Sequence, residues 1–118
     1  MNTYRTLELD VIRWAEDRQI IPNSSPIAQA SKTLEEAGEL LESAARMQAM
    51  LETGIERHDP LYKAELKRYQ DAVGDIVVTL INGCALADVD LVGCLAMAYD
   101  EIKDRKGTLM PNGVFVKA

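Results

Sequence analysis

The segment KTLEEAGELLE, Lys32 to Glu42, sets three carboxylates within one turn or so of each other if it is helical. At about 100° per residue, Gln29, Lys32, Glu36, Glu39 and Ser43 share one face, with Glu35 at its edge. Like charges at that spacing repel on an exposed helix. The face is therefore either solvated or occupied by something cationic. A second acidic stretch, DAVGD from Asp71 to Asp75, opens the run VGDIVVTLINGCALA. Val73, Ile76, Val77, Val78, Leu80, Ile81, Cys84 and Ala85 cover most of that helix, a pattern that predicts burial. Its polar side chains, Asp71, Asp75, Thr79 and Asn82, fall on one narrow stripe.

A carboxylate on such a stripe needs a partner, a metal ion or a proton. One reading pairs the acids with Lys67 and Arg68 on the same helix and Lys32 on the preceding one. The other sets Asp71 and Asp75 against Glu36 and Glu39 across two packed helices, where a hard divalent cation relieves the repulsion. Oxygen-only ligands suit Mg²⁺ or Mn²⁺. Di-iron bundles use Glu-x-x-His pairs, and zinc wants nitrogen or sulfur. The single histidine, His58, lies in a polar joint and follows no such spacing.

The elements that must position these acids are legible from periodicity. TLELDVIRWAEDRQI places Leu7, Val11, Trp14 and Ala15 at helical spacing. IPNSSP breaks that helix, and Ser24 or Ser25 before Pro26 is an N-cap for the next. A second helix is predicted from about Pro26 into the fifties, with Ile27, Ala30, Leu34, Ala37, Leu41 and Ala44 as its apolar stripe. After the joint ETGIERHDP, a third runs from about Leu61 to Leu86. Asp90 caps a fourth that reaches about Lys106, with Leu91, Leu95, Ala98 and Ile102 inward. Pro111, Asn112 and Gly113 sit between two β-prone runs and permit a short C-terminal hairpin. The reading is an all-α chain with a four-helix bundle core, a single domain over residues 1–118. Helices this apolar on several sides predict a homo-oligomer, a homodimer or homotetramer.

The composition narrows the function. The 118 residues suffice for one domain, and at 47% hydrophobic they can bury a core. A net charge of −6 argues against nucleic acid or an anionic membrane as partner. It leaves room for a phosphorylated ligand whose charge is met by metal ions. Cys84 and Cys94 lie in apolar runs without metal-type spacing. No apolar run approaches the roughly 20 residues of a membrane span, the N-terminus is too polar for a signal peptide, and a cytoplasmic location is expected.

The paired motifs EEAGE and DAVGD resemble those of the MazG-like nucleotide pyrophosphohydrolases, an all-α superfamily. The segments WAEDRQIIPNSSPIAQASKTLEEAGEL and AYDEIKDRKG…NGVFVK carry the likeness over most of the chain and look most like small single-domain members. The resemblance implies Mg²⁺-dependent hydrolysis of a nucleoside triphosphate to monophosphate and pyrophosphate. It implies that Glu36, Glu39 and Asp75 bind metal, with Glu35 beside them. The family pattern has Glu three residues before Asp75, where this chain has Ala72. Asp71, four before, shares a face with Asp75 and can supply that carboxylate. Glu35 or Glu39 is the candidate general base. Asn82 and Asp100 match positions where members carry Asn. Lys32 and Lys103 are candidates for the substrate phosphates, or else ordinary helical ion pairs and C-terminal caps. Trp14 and Tyr99 can stack a base, although Trp14 also suits a core. The rivals are a helical interaction protein whose acids are a salt-bridged face, and a degenerate member that binds nucleotide and metal but turns over poorly.

Overall fold

The computed structural model describes residues 2–118. Five helices and one hairpin follow in order: α1 (Tyr4–Asp17), α2 (Ile20–Asn23), α3 (Pro26–Glu52), α4 (Pro60–Ala87), α5 (Leu91–Ile102), β1 (Gly107–Leu109) and β2 (Phe115–Lys117). They form two compact units, the first ending at Asp88 and the second running from Val89 to Ala118.

Local chemistry fixes the helix starts. Thr3 and Thr6 cap α1 reciprocally, each hydroxyl accepting from the other's backbone N–H. Ser25 accepts from the Ala28 N–H at 3.1 Å ahead of Pro26, and Asp59 accepts from the Leu61 N–H at 2.8 Å ahead of Pro60. Proline at the first helical position loses no bond, because that N–H has no partner within the helix. Asp90 caps α5 through the Gly93 N–H at 2.9 Å. The break after α1 is not a plain loop. Gln19 takes a left-handed conformation (φ 63°), and α2 is an irregular turn with a cis peptide before Pro22.

In the first unit, α3 and α4 are the main packed pair, with α1 and α2 against α4. Thr33 faces Thr79 and Ser43 faces Glu65, so the pair is antiparallel. The side of α3 that meets α4 is the polar one: Glu36 and Ser43 are its buried residues. The predicted apolar stripe points away, with Ile27 79%, Leu34 75% and Leu41 71% exposed. Of the two readings of this face, solvated or set against the next helix, the structure gives the second for Glu36 and Ser43. Periodicity shows which residues share a face, but not which face meets a neighbour; here the polar stripe of α3 finds the polar stripe of α4.

The apolar wrap of α4 is likewise only partly covered. Ala72 and Ile81 are buried, while Val73 and Leu80 are exposed. By length and composition α4 is apolar enough to cross a membrane, against the expectation that no run approaches a span. Its Thr79 nevertheless bonds Thr33 at 2.7 Å, the behaviour of a helix packed on protein. Among the described residues the buried apolar side chains are Ala15, Tyr62, Ala72 and Ile81, against the buried polar Glu8, Glu36, Ser43, Glu65, Thr79 and Asn82. Among the described residues, buried polar side chains thus outnumber buried apolar ones, while large aliphatic side chains stand exposed.

In the second unit, α5 stops at Ile102, four residues before the predicted end. The Arg105 N–H closes a turn on the Ile102 carbonyl, and the Lys106 carbonyl accepts from the Ala118 N–H beside the hairpin. Leu95, Ala98 and Ile102, expected inward, are exposed. The hairpin pairs Gly107 with Lys117 and Leu109 with Phe115. Gly113 takes φ 86°, as its turn requires. A Cβ at position 107 would overlap the Val116 carbonyl oxygen and sit 2.7 Å from the Phe115 ring, so only glycine fits.

Candidate functional site

The α3–α4 seam holds two buried glutamates, and they differ in how they are satisfied. Glu65 on α4 is 1% exposed. The Ser43 hydroxyl donates to its Oε2 at 2.7 Å, Arg46 Nε to its Oε1 at 2.8 Å and Arg68 Nη1 to the same oxygen at 3.2 Å. These donors, Arg46 first and then Ser43, hold the Glu65 carboxyl below the usual carboxylate range against the opposing effect of burial. Its charge is fully answered.

Glu36 on α3 is 6% exposed and is not answered in the same way. Lys32 Nζ stands 3.5 Å from its Oε1, at the long end of an ion pair. Its Oε2 is buried with no hydrogen-bond partner, and the Asn82 Oδ1 is in the same condition. Orphaned buried acceptors are rare and costly. Both residues line one cleft of about 470 Å³, together with Asp75, Lys32, Gln29 and Trp14. That volume is in the range of small-molecule sites.

A second cleft, of about 360 Å³, is lined by Glu39, Glu42, Asp71, Asp75, Arg46 and Arg68, with Ser43 and Ala72. Asp75 borders both clefts. Glu39 holds its proton more tightly than an ordinary glutamate. The cause is first a hydrogen bond with the Glu36 carboxyl, then the negative charge of Glu36, with Glu35 adding to it.

The donor chemistry fits a hard cation. Glu36 Oε2 and Asn82 Oδ1 are acceptors with nothing to accept, and the surrounding ligands are oxygens. Among the described residues, no three Asp, Glu, His or Cys side chains are gathered into a metal cage. The fit is therefore to an ion that takes one or two carboxylates from protein and the rest from water or phosphate, as Mg²⁺ does.

The sequence candidates fall into three groups. Glu36, Asp75, Asn82 and Lys32 line one cleft, and Glu39, Asp71 and Asp75 the other. Lys32 is also the partner of Glu35 at 3.3 Å, and that hydrogen bond is the first cause of its raised pKa. Glu35 is exposed and lines neither cleft. Asp71 is exposed and paired with Lys67 at 3.6 Å, whereas Ala72 beside it is buried in the seam, so the two positions are not equivalent. Arg68, considered as a partner for the aspartates, instead serves Glu65. Asp100 and Lys103 lie in the second unit and pair with each other at 3.5 Å. Trp14 is not core: it is 41% exposed, lines the Glu36 cleft, and carries the Arg18 guanidinium 4.7 Å above its ring. The Ser43–Arg46–Glu65 cluster was missed. Ser43 was visible on the acidic face and Arg46 follows it by three, but the buried carboxylate they serve lies 22 residues from Ser43.

No protein-family model and no curated protein matches the chain. Among solved structures it is similar to the cyanophage S-2L MazG-like pyrophosphohydrolase bound to dGDP and three catalytic Mn²⁺ ions per active site. The likeness covers 100% of this chain and 99% of that one, with a TM-score of 0.60 at 19% identity. The chain therefore has a MazG-like all-α fold.

Two outcomes follow from the paired glutamates. The depressed Glu65 contributes stability above the ordinary carboxylate range, and this is lost as pH falls through its folded-state value. Glu65→Gln is expected to cost about 3 kcal/mol at pH 7 and to flatten the acid limb of a urea-denaturation series. Glu39 works in the opposite direction. With its proton held more tightly when folded, its stabilisation is present at low pH and is lost as pH rises through its folded-state value. Glu36→Gln is expected to return the Glu39 titration, read by carboxyl ¹³C NMR without metal, toward that of a free glutamate.

Proposed function

We propose, from the premise of a MazG-like fold, that this chain hydrolyses nucleoside triphosphates to nucleoside monophosphate and pyrophosphate with Mg²⁺ or Mn²⁺ as cofactor. The observation that carries the reading is that Glu36 and Asn82, each with a buried, unpartnered oxygen, line one cleft with Asp75. A salt-bridged scaffold has no use for orphaned acceptors, since it would leave them satisfied as Glu65 is. The similar phage enzyme, with dGDP and Mn²⁺ in its active site, supports nucleotide and divalent metal as the ligand pair.

In this reading Glu36 and Asp75, which share one cleft, would hold the cation, with Glu39 and Asp71 beside it along the second cleft. A bound divalent cation supplies charge neutralisation for the triphosphate and polarisation of its phosphoryl oxygens. The chain's own residues do the rest. Glu39 is the better placed general base, because it lines the acidic cleft and Glu35 is engaged with Lys32. It takes a proton from water as the water oxygen bonds to phosphorus; the α–β bridging P–O bond breaks and pyrophosphate leaves with the electron pair. Lys32 faces the Glu36 cleft and meets phosphate charge. The Asn82 amide and the exposed face of Trp14 supply hydrogen-bonding and stacking groups for a base. Asp100 remains a candidate substrate contact by its match to the family pattern, and Lys103 by its charge.

The exposed Ile27–Leu34–Leu41 stripe has heptad spacing along α3, and we assign it to contact with further copies of the chain. Burying it offsets the polar interior of the single chain.

Three measurements test the reading. A panel of NTPs and dNTPs is expected to give monophosphate and pyrophosphate with Mg²⁺ or Mn²⁺, and none with EDTA; no product above the EDTA blank from any nucleotide overturns the assignment. Glu36→Gln and Asp75→Asn are each expected to lower kcat at least about 100-fold with a cooperative melting transition retained. Leu34→Asp with Leu41→Asp is expected to convert an oligomer to monomer in light scattering, and a wild-type monomer would refute that assembly.

A further inference from the structure

Glu65 takes no part in the chemistry above, yet it is the most enclosed charged group among the described residues. It holds two arginines whose side chains are 49% and 66% exposed, one from each helix of the seam. For stability alone this is a poor arrangement, because a buried carboxylate loses hydration that an apolar pair would not. What it achieves is position. The Arg46 Nε and Arg68 Nη1 contacts on one carboxylate oxygen bring two planar cations to the same point. Ser43 fixes the other oxygen, so the carboxylate cannot turn.

Each guanidinium meets Glu65 through a single nitrogen; Arg46 Nη1 also stands 4.0 Å from Glu42, and both arginines keep further N–H donors. Both arginines line the cleft that contains Glu39, Asp71 and Asp75. Among the described residues the neighbouring cleft has no arginine in its lining; beyond Lys32, Glu36 and Asp75 its walls include Trp14, Ile20 and Ala28 with the amides of Gln29 and Asn82. With its carboxylates Glu39, Glu42, Asp71 and Asp75 neutralised by a divalent cation, the first cleft would offer its two guanidinium groups to an oxygen-rich anion, while the far walls of the second suit a ring with hydrogen-bonding edges.

We propose that Glu65 is a positioning residue that holds Arg46 and Arg68 as a clamp for the diphosphate end of the nucleotide, with the nucleoside end lying past Asp75 toward Trp14 and Asn82. The inference rests on the pyrophosphohydrolase reading for the name of the ligand, and on the seam geometry for the clamp. It fixes the direction in which the substrate lies across the two clefts. Glu65 itself touches no substrate and acts through the arginines.

The test is calorimetric titration of the full chain, in Mg²⁺, with inorganic pyrophosphate and separately with nucleoside monophosphates. Arg46→Ala and Arg68→Ala are each expected to weaken pyrophosphate about 10-fold or more while monophosphate affinity stays within about twofold. Glu65→Gln is expected to weaken pyrophosphate in the same selective way; should that variant fail to fold, the two exposed arginines still carry the test. Unchanged pyrophosphate affinity in both arginine variants, equal losses for the two ligands, or no pyrophosphate binding by the wild type each overturn the clamp. Because binding is read without turnover, the two readings fail separately. A chain that binds pyrophosphate through these arginines but releases none from any nucleotide keeps the clamp and loses the hydrolase. A hydrolase indifferent to both substitutions does the reverse.

Discussion

The α3–α4 pair packs through polar side chains, and every buried oxygen in that seam must be answered by a donor, a proton or a cation. Protein interiors tolerate carboxylates only on those terms. At Glu65 the terms are met inside the chain by Ser43, Arg46 and Arg68. At Glu36 they are not: Oε2 has no partner, and neither has the Oδ1 of Asn82, which lines the same cleft. The same helix pair thus contains a finished carboxylate and an unfinished one. The contrast separates scaffold from site without any appeal to relatives.

The unfinished end also stores repulsion. Glu36 raises the proton affinity of Glu39, and Glu35 adds to it. A divalent cation placed there would relieve a strain that already exists, so part of its binding free energy would come from the chain's own charges. Ala72 fits the same picture. The position is buried between the helices, where a longer acidic side chain would add one more charge to the seam. Asp71, one residue earlier, is directed to Lys67 at the surface and gives a weaker version of that charge.

A polar interior has consequences for the outside of the molecule. With Glu36, Ser43, Thr79 and Asn82 turned inward, the large aliphatic side chains of α3 turn outward. Ile27, Leu34 and Leu41 form a continuous exposed row, and monomers seldom leave such rows uncovered. The acidic site and the apolar row are two sides of one helix, so the placement of one dictates the placement of the other. This links the candidate chemistry to assembly through the geometry of α3 alone.

The sequence by itself determined the four long helices, the Ser25 and Asp90 caps and the hairpin, because these depend on neighbours within a few residues; the irregular α2 and the end of α5 at Ile102 were not legible there. It also determined that Glu36 and Glu39 share a face and that Asp75, Thr79 and Asn82 share another, since helical period alone sets this. Only the tertiary structure decided that these two polar faces meet each other rather than water. Amphipathic pattern is symmetric in that respect: it divides a helix into two sides without saying which one a neighbour will cover. Contacts across the seam, such as Ser43 with Glu65 and Thr33 with Thr79, join residues 22 and 46 apart and leave no local trace. For the same reason the difference between Glu65 and Glu36 was invisible in the sequence, where both are simply glutamates on a helix, and became visible only when their donors could be counted.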